Sequence, residues 1–264
     1  MIAAEDIRVV FHPGGALETT ALHGVSVSID EGEFVTVVGS NGAGKSTLLG
    51  VLAGDIAPTT GKVMFADKDM TTTPAHRRAA NVARVFQDPL AGTCAAMSIE
   101  ENMALAATRG RRRGWAMANN ARRREMFRER LSPLGLDLEN RLGEKVGQLS
   151  GGQRQAISLV MATLADARVL LLDEHTAALD PRMAAFVLEL TRTLCAQYRL
   201  SVLMVTHSMK AALSCGVRTL MLHRGNIALD IGGKEREGMT AADLLHLFVQ
   251  NSGADDDRLL LDAT

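Results

Sequence analysis

The chain of 264 residues is long enough for one large domain or two packed subdomains. Hydrophobic residues make up 47% of the sequence and charged residues 22%, as in ordinary globular proteins with an apolar core. A formal net charge of −1 and only 3% aromatic residues argue against a nucleic-acid-binding surface. The N-terminus lacks a signal-peptide pattern, and no apolar run approaches the roughly 18 residues of a membrane span.

Strand and helix patterns alternate along the chain. Apolar alternation or β-branched runs predict strands at 25–30 and 33–39, followed by a helix at 45–54 that Gly54 closes. Further strand patterns are found at 61–70, 81–89 (ending at Pro89), 168–174 and 201–207, with a hairpin at 217–231 that turns at Gly225-Asn226. Helices are predicted at 184–198 and at 240–250, where Thr240 and Asp243 have capping-box spacing.

The order of these elements predicts an α/β fold with a mainly parallel sheet covered by helices on both faces. Between about 90 and 166 the composition changes to Ala, Met, Arg and Glu, which indicates an inserted helical subdomain. We therefore expect a core formed by about 1–89 and 167–250, and a flexible tail at 251–264.

The cysteines indicate the compartment. Cys94, Cys195 and Cys215 are far apart and have no CxxC spacing. This predicts reduced, packed thiols in a cytosolic protein and no cysteine-based metal framework.

A phosphate-binding loop is predicted at "GSNGAGKST". The segment satisfies G-x-x-x-x-G-K-[ST] between a predicted strand and a predicted helix. Its residues are Gly39, Ser40, Asn41, Gly42, Ala43, Gly44, Lys45, Ser46 and Thr47. The loop amides would surround phosphate oxygens, Lys45 would reach the β and γ phosphates, and Ser46 would ligate Mg²⁺. By itself the loop indicates only a nucleoside triphosphate.

Two adjacent carboxylates end the buried strand in "VLLLDEH". Asp173 would lie at the carboxyl edge of the sheet and hold Mg²⁺, while Glu174 would polarise an attacking water. Without the phosphate-binding loop, the pair would fit equally well as solvated turn residues. Gln87 and His207 also follow strands and are candidates for contacting the metal, the water or the γ-phosphate, although each type is common in structural roles.

A second anion-binding pattern is found at "LSGGQ". Ser150, Gly151, Gly152 and Gln153 begin a predicted amphipathic helix, so the chain has two such helix starts. The segments "GSNGAGKST", "RVFQDP", "LSGGQ", "LLLDE", "AALD" and "VTH" follow in this order. Together they resemble the ATP-binding subunits of ABC transporters, from Phe11 to about Phe248. "ARVFQDPLAGT" and "DEHTAALDP" further resemble bacterial tryptophan/tyrosine import ATPases.

The resemblance assigns roles to these residues. It implies a single ABC ATP-binding domain over 1–250 with an additional antiparallel β portion, binding ATP and Mg²⁺. Phe11 would stack on adenine, where the family more often has tyrosine, and Gln87, Asp180 and His207 would be the Q-loop glutamine, D-loop aspartate and switch histidine. Catalysis would depend on Glu174, His207, Gln87 and Lys45, and Mg²⁺ on Ser46, Gln87 and Asp173. His175 departs from the proline found in many relatives.

The resemblance also implies partners. Residues 150–153 would face the γ-phosphate on the loop of a second copy, giving two shared ATP sites in a head-to-tail dimer. Integral permease subunits and, indirectly, a solute-binding protein would complete an importer at the inner face of the bacterial membrane. An assembly-type soluble ABC ATPase, for example for iron–sulfur clusters, remains open, whereas a P-loop kinase or GTPase does not explain "LSGGQ" and His207.

A basic cluster, Arg109 to Arg124, surrounds the single tryptophan, Trp115. Its arginines would meet anionic lipid or an acidic loop of a membrane partner. The favoured alternative is a solvated face of the helical insertion.

Overall fold

The computed structural model describes residues 1–110 and 121–252. They form two units: Met1–Arg78 together with the described residues from Arg199 onward, and Ala79–Tyr198. The first segment contains β1 (Ile2–Phe11), β2 (Thr19–Ile29), β3 (Phe34–Val38), α1 (Lys45–Ala53), β4 (Thr60–Phe65), β5 (Lys68–Asp69) and α2 (Ala75–Arg78). The second unit contains β6 (Val82–Val85), α3 (Ile99–Ala107), α4 (Ala121–Leu131), α5 (Gly151–Ala162), β7 (Val169–Asp173) and α6 (Pro181–Tyr198). The chain returns to the first unit with β8 (Ser201–Val205), α7 (Met209–Cys215), β9 (Arg218–His223), β10 (Asn226–Gly232) and α8 (Ala241–Ser252).

The first unit combines two sheets. Strand β3 pairs in parallel with β8 and β9, and β10 extends this sheet as the antiparallel partner of β9. Every residue of β3 and β8 is buried, as expected for parallel strands covered on both faces. A second, antiparallel sheet has the order β2-β1-β4-β5.

The second unit combines a parallel strand pair with helices. Strands β6 and β7 are parallel neighbours. Its apolar core brings together residues of α3, α4 and α5, among them Met103, Phe127 and Ile157, each 0% exposed. This unit therefore contains the predicted helical stretch of about 90–166 together with β6, β7 and α6, and the predicted mainly parallel α/β class is confirmed.

Three local details differ from the sequence predictions. Strand β1 was not predicted, because the backbone breaks its alternation at Asp6, where φ is 50° and the register shifts between Ala4 and Ile7. The hairpin turns one residue earlier than predicted, at Arg224 and Gly225, with φ of 46° and 75°. The strand predicted to reach Pro89 ends at Val85.

Helix α8 begins with the predicted capping box, since Asp243 N donates to Thr240 Oγ1 and Thr240 N donates to Asp243 Oδ2. The helix extends to Ser252, and the rest of the predicted tail, 253–264, lies outside the described residues. Among the described residues, no helix combines the length and apolarity that crossing a bilayer requires.

Arg78 is a buried arginine that fixes the C-terminal end of α1. It is 2% exposed, and burial lowers the pKa of its guanidinium. Its five hydrogen bonds all go to backbone carbonyls: those of Val51, Leu52, Met70, Thr71 and Thr73. Helix α1 also carries the predicted phosphate-binding lysine at its first residue. Arg78 therefore joins the far end of that helix to the loop around β5.

We expect Arg78→Met to lower the free energy of unfolding by roughly 3 kcal/mol or more. The substitution leaves several buried carbonyl groups without a donor, and each such group costs about 1–3 kcal/mol. Urea unfolding followed by circular dichroism measures the effect. The matched control is Arg77→Met, since Arg77 is on the same helix but exposed. Equal midpoints for the two variants would contradict the structural role of Arg78.

Candidate functional site

The predicted phosphate-binding loop connects β3 to α1 in the first unit. Gly39 has a φ of 151°, and a Cβ at this position would overlap the carbonyl oxygen of Leu222, so only glycine fits. Gly44, with a φ of 101°, precedes the first residue of α1. The loop and the helix N-terminus thus have the backbone geometry that binds anions through amide groups.

Lys45 closes this loop from inside. The residue is 5% exposed, and its Nζ donates to the carbonyl oxygens of Gly39 at 2.7 Å and Ser40 at 3.0 Å. The ammonium group is therefore held by backbone carbonyls of the predicted phosphate-binding loop. When a phosphate binds here, Lys45 exchanges those neutral carbonyl acceptors for charged phosphate oxygens, which form stronger hydrogen bonds.

Two other predicted site residues belong to the first unit. His207 follows β8, half-buried, and the next residue, Ser208, caps α7 through a hydrogen bond from Ala211 N. Phe11 is the last residue of β1 and pairs with Thr19 of β2. Its side chain is 37% exposed, an accessible aromatic surface suited to stacking.

Asp173 is the last residue of β7 and is paired with an arginine that the sequence analysis did not single out. Arg84 of the neighbouring strand β6 donates from Nη2 to Asp173 Oδ2 at 2.7 Å. Both side chains are largely buried, with exposures of 17% and 14%. The Arg84 guanidinium also lies over the Phe86 ring, 4.6 Å from its centroid. The sequence offers one signal for this ion pair. It is a charged arginine within an apolar strand pattern, together with another strand pattern that ends in aspartate.

Glu174 has a left-handed backbone, with φ of 45°. Its carbonyl accepts from Ala177 N, which forms a turn directly after β7. The next residue, His175, is 2% exposed, and its Nε2 lies 3.0 Å from Thr191 Oγ1 on α6. Because the single hydroxyl proton of Thr191 is donated to Val187 O, we assign the Nε2–H tautomer to His175, with this N–H donating to Thr191. His175 therefore anchors the turn that carries Glu174.

Burial lowers the pKa of His175 from 6.5 to about 4, so acid should destabilise the protein through this residue. As the pH falls, His175 is protonated first in the unfolded chain, near pH 6.5, and only near pH 4 in the folded chain. The contribution of neutral His175 to the free energy of unfolding is therefore complete above pH 6.5 and is lost as the pH falls towards 4. Between pH 6.5 and 4.5 the loss should be roughly 2 kcal/mol.

Urea unfolding at several pH values tests this expectation. His175→Asn should lose that part of the pH dependence, and His76→Asn, at an exposed position, should keep it. Parallel stability curves for the parent and His175→Asn would contradict the prediction.

Gln87 is exposed and follows β6. The residue before it is fixed by α5, because Gln155 Nε2 donates to Phe86 O at 3.2 Å. Gln155, which is 1% exposed, is a second residue that the sequence analysis missed. The contact joins the start of the predicted Q-loop to the helix that "LSGGQ" begins.

The "LSGGQ" segment forms the N-terminus of α5. Ser150 Oγ accepts from Gln153 N, and Gln153 Oε1 accepts from Ser150 N, which makes a complete capping box. A Cβ at Gly152 would collide with the side chain of Met183, so this glycine allows α5 to pack closely against α6. Asp180 caps α6 by accepting from Met183 N at 3.0 Å. These residues thus lie where the N-terminal ends of α5 and α6 pack together.

The structure describes only the two ends of the basic cluster, and it places one cysteine differently from the prediction. Arg109 is tied to the C-terminus of α5 through Ala162 O, and Arg124 donates twice to Glu100 Oε2, with Glu100 5% exposed. Both ends of the cluster therefore have structural partners, while 111–120, with Trp115, lies outside the described residues. Cys195 is buried, but Cys94 is exposed and not packed as predicted.

The donor set suits magnesium. Among the described residues, no group of three or more histidines, cysteines, aspartates or glutamates is arranged to hold a metal. The predicted ligands Ser46, Gln87 and Asp173 instead offer hydroxyl, amide and carboxylate oxygens. Mg²⁺ binds to such oxygens and commonly completes its shell with substrate phosphates and water.

The family follows from comparison with known proteins. A family model described as ABC transporter matches residues 22–177, more than half of the chain. This chain belongs to the ABC transporter family. A tyrosine transport ATP-binding protein of Clostridioides difficile (strain R20291) is 42% identical over 229 residues, which cover 87% of this chain and 91% of that protein. A thiamine import ATP-binding protein of Escherichia coli O6:K15:H31 (strain 536 / UPEC) is 34% identical over 203 residues, covering 77% and 82%.

Solved ABC structures agree with this assignment. A dimeric ATP-binding cassette in a post-hydrolysis state, bound to ADP and Pi, has a TM-score of 0.76 and 28% identity, covering 88% of this chain and 98% of that one. The chain is an ATP-binding and ATP-hydrolysing ABC subunit, as the resemblance predicted. The predicted ABC ATPase fold is likewise confirmed.

Proposed function

We propose that this ABC subunit powers the import of a small amino-acid-like solute, with tyrosine as the first candidate, through integral permease subunits at the inner face of the membrane. The observation that carries the proposal is the 42% identity, over 87% of the chain, to a tyrosine transport ATP-binding protein. A thiamine import relative is also similar, at 34% identity. Solute selection belongs to the binding protein and permease, so the ATPase supports a solute class more strongly than one compound.

In this proposal the first unit binds the nucleotide. The loop amides and Lys45 hold the β and γ phosphates, and the exposed ring of Phe11 stacks on adenine. Lys45 moves from the carbonyls of Gly39 and Ser40 to the phosphates, a short movement because both carbonyls belong to the loop itself. The imidazole of His207 hydrogen-bonds the γ-phosphate.

The two carboxylates proposed for hydrolysis, Asp173 and Glu174, belong to the second unit. Ser46, Gln87 and Asp173 would hold Mg²⁺, which would neutralise charge on the phosphate oxygens. Glu174 takes the proton of the attacking water, acting as general base. Its turn is anchored by the His175–Thr191 hydrogen bond, which limits the directions the carboxylate can take.

A second copy of the chain completes each site. Ser150, Gly151, Gly152 and Gln153 of one copy, together with Asp180, face the ATP held by the loop of the other. Gln153 N already donates to Ser150 Oγ, whereas Gly151 and Gly152 are the first two residues of α5, where a helix supplies no carbonyl acceptor, so their amides suit a phosphate from outside. Each copy therefore contributes two anion-binding helix starts, that of α1 to one ATP site and that of α5 to the other, and the dimer has two ATP sites.

Reconstitution of the complete transporter in liposomes tests the import proposal. The subunit, purified with its permease and binding protein, should drive ATP-dependent uptake of labelled tyrosine, and unlabelled tyrosine should compete more strongly than thiamine. Mass spectrometry of the solute bound to the purified binding protein identifies the cargo independently. The same complex carrying Glu174→Gln is the control and should show no uptake.

Two results would contradict the proposal. ATP-dependent efflux of the solute without uptake would show that the transporter is an exporter. Co-purification with a soluble scaffold in place of a permease would favour the assembly-type alternative.

A further inference from the structure

The ion pair between Arg84 and Asp173 carries an inference about how the proposed metal site is controlled. Arg84 Nη2 is 2.7 Å from Asp173 Oδ2, so one oxygen of the proposed Mg²⁺ ligand already faces a cation. A guanidinium remains protonated at all physiological pH values, and this positive charge is therefore permanent. With exposures of 17% and 14%, the pair is poorly screened by water and salt.

The position of Arg84 is fixed by more than this one contact. Its strand, β6, is paired residue by residue with β7, with Arg84 opposite Leu171 and Val85 opposite Leu172. The guanidinium also lies over the Phe86 ring at 4.6 Å, an attraction that persists whatever occupies Asp173. Phe86 in turn is fixed through its carbonyl by Gln155. The arginine therefore stays beside Asp173 when a metal approaches.

We propose that Arg84 is an internal counter-ion that competes with free divalent cations for Asp173, so that the metal enters together with nucleotide. A lone Mg²⁺ would have to share the carboxylate with a fixed positive charge and would gain little. Metal bound to ATP arrives with negatively charged phosphates that offset the repulsion. Arg84 is thus a positioning residue for the metal step, and this inference rests on the proposed role of Asp173 as a Mg²⁺ ligand.

Binding of Mn²⁺ to the nucleotide-free full-length chain tests the inference, with free Mn²⁺ measured by electron paramagnetic resonance. Arg84→Met removes the charge and should bind Mn²⁺ at least about tenfold more tightly than the parent, a difference of about 1.4 kcal/mol. Arg84→Lys keeps the charge and should stay near the parent. The matched control is Arg130→Met, because Arg130 also lies over an aromatic ring, that of Tyr198, at 5.1 Å. Thermal unfolding confirms that each variant is folded.

The outcomes separate this inference from the role of Asp173. In one outcome, Asp173→Asn has the same Mn²⁺ affinity as Arg84→Met and keeps the parent's Mg²⁺ dependence of ATP binding. Asp173 is then not the ligand, and the proposed metal site fails. If Asp173→Asn weakens metal-dependent ATP binding but Arg84→Met binds free Mn²⁺ no more tightly than the parent, only the counter-ion inference fails. Equal tightening in Arg84→Lys and Arg84→Met would also overturn it, because charge would then not be the cause.

Discussion

Glu174→Gln is expected to reduce ATP hydrolysis by about 10²- to 10⁴-fold and to trap an ATP-dependent dimer. The amide preserves the shape of the side chain but cannot accept the proton of the attacking water. ATP still binds, because Lys45, Ser46 and the loop amides are unchanged. Without hydrolysis each ATP stays between the loop of one copy and residues 150–153 of the other. Phosphate release and size-exclusion chromatography, with and without ATP, measure the two effects.

The double variant Glu174→Gln with Ser150→Arg should lose this dimer while each monomer retains ATP binding. A bulky side chain at 150 obstructs the approach of the second copy, but it also removes the capping box of α5. Ser98 supplies a matched control, because it caps α3 with the same reciprocal hydrogen bonds to Glu101. Adding Ser98→Arg instead removes an equivalent cap, worth about 0.5–2 kcal/mol, and should leave the dimer intact. A dimer that forms without nucleotide, or that survives Ser150→Arg, would refute the shared site.

Lys45→Ala is expected to abolish measurable ATP hydrolysis, with a loss of at least about 10²–10³-fold. In the proposed site the ammonium is the compact cation at the β and γ phosphates, and removing one positioned electrostatic group typically costs this much. ATP affinity, measured with a fluorescent analogue, should fall as well. Lys62→Ala, at an exposed lysine of the same unit, should behave like the parent. Turnover near the parent rate in Lys45→Ala would disprove the phosphate-binding role of the loop.

The parts of the fold that the sequence predicted correctly depend on local signals. The strand before the loop, the glycines and the helix closed by Gly54 each follow from the conformational preferences of neighbouring residues. Strand β1 was missed because a left-handed Asp6 interrupts its alternation, and nothing in the sequence marks such a bulge. The hairpin turn was misplaced because Arg224, not Asn226, adopts the left-handed conformation.

The missed site residues depend on contacts between distant parts of the chain. Arg84 and Asp173 are 89 residues apart, and their ion pair requires that β6 and β7 be neighbours in the same register. His175 was noted only as a departure from proline, because its partner Thr191 lies 16 residues further on a helix. The residues that make up the motifs could be named from sequence, but the groups that hold them in place could not.

The close approach of Gly39 to strand β9 has a consequence for how this gene tolerates mutation. Every single-nucleotide missense change at codon 39 introduces at least a Cβ, which would overlap the carbonyl oxygen of Leu222. At codon 42 the same addition meets no atom within 4 Å, and a φ of 78° is one that asparagine or aspartate can adopt. In a library sorted only for folded protein, codon 39 should return glycine alone, whereas codon 42 should also return asparagine and aspartate.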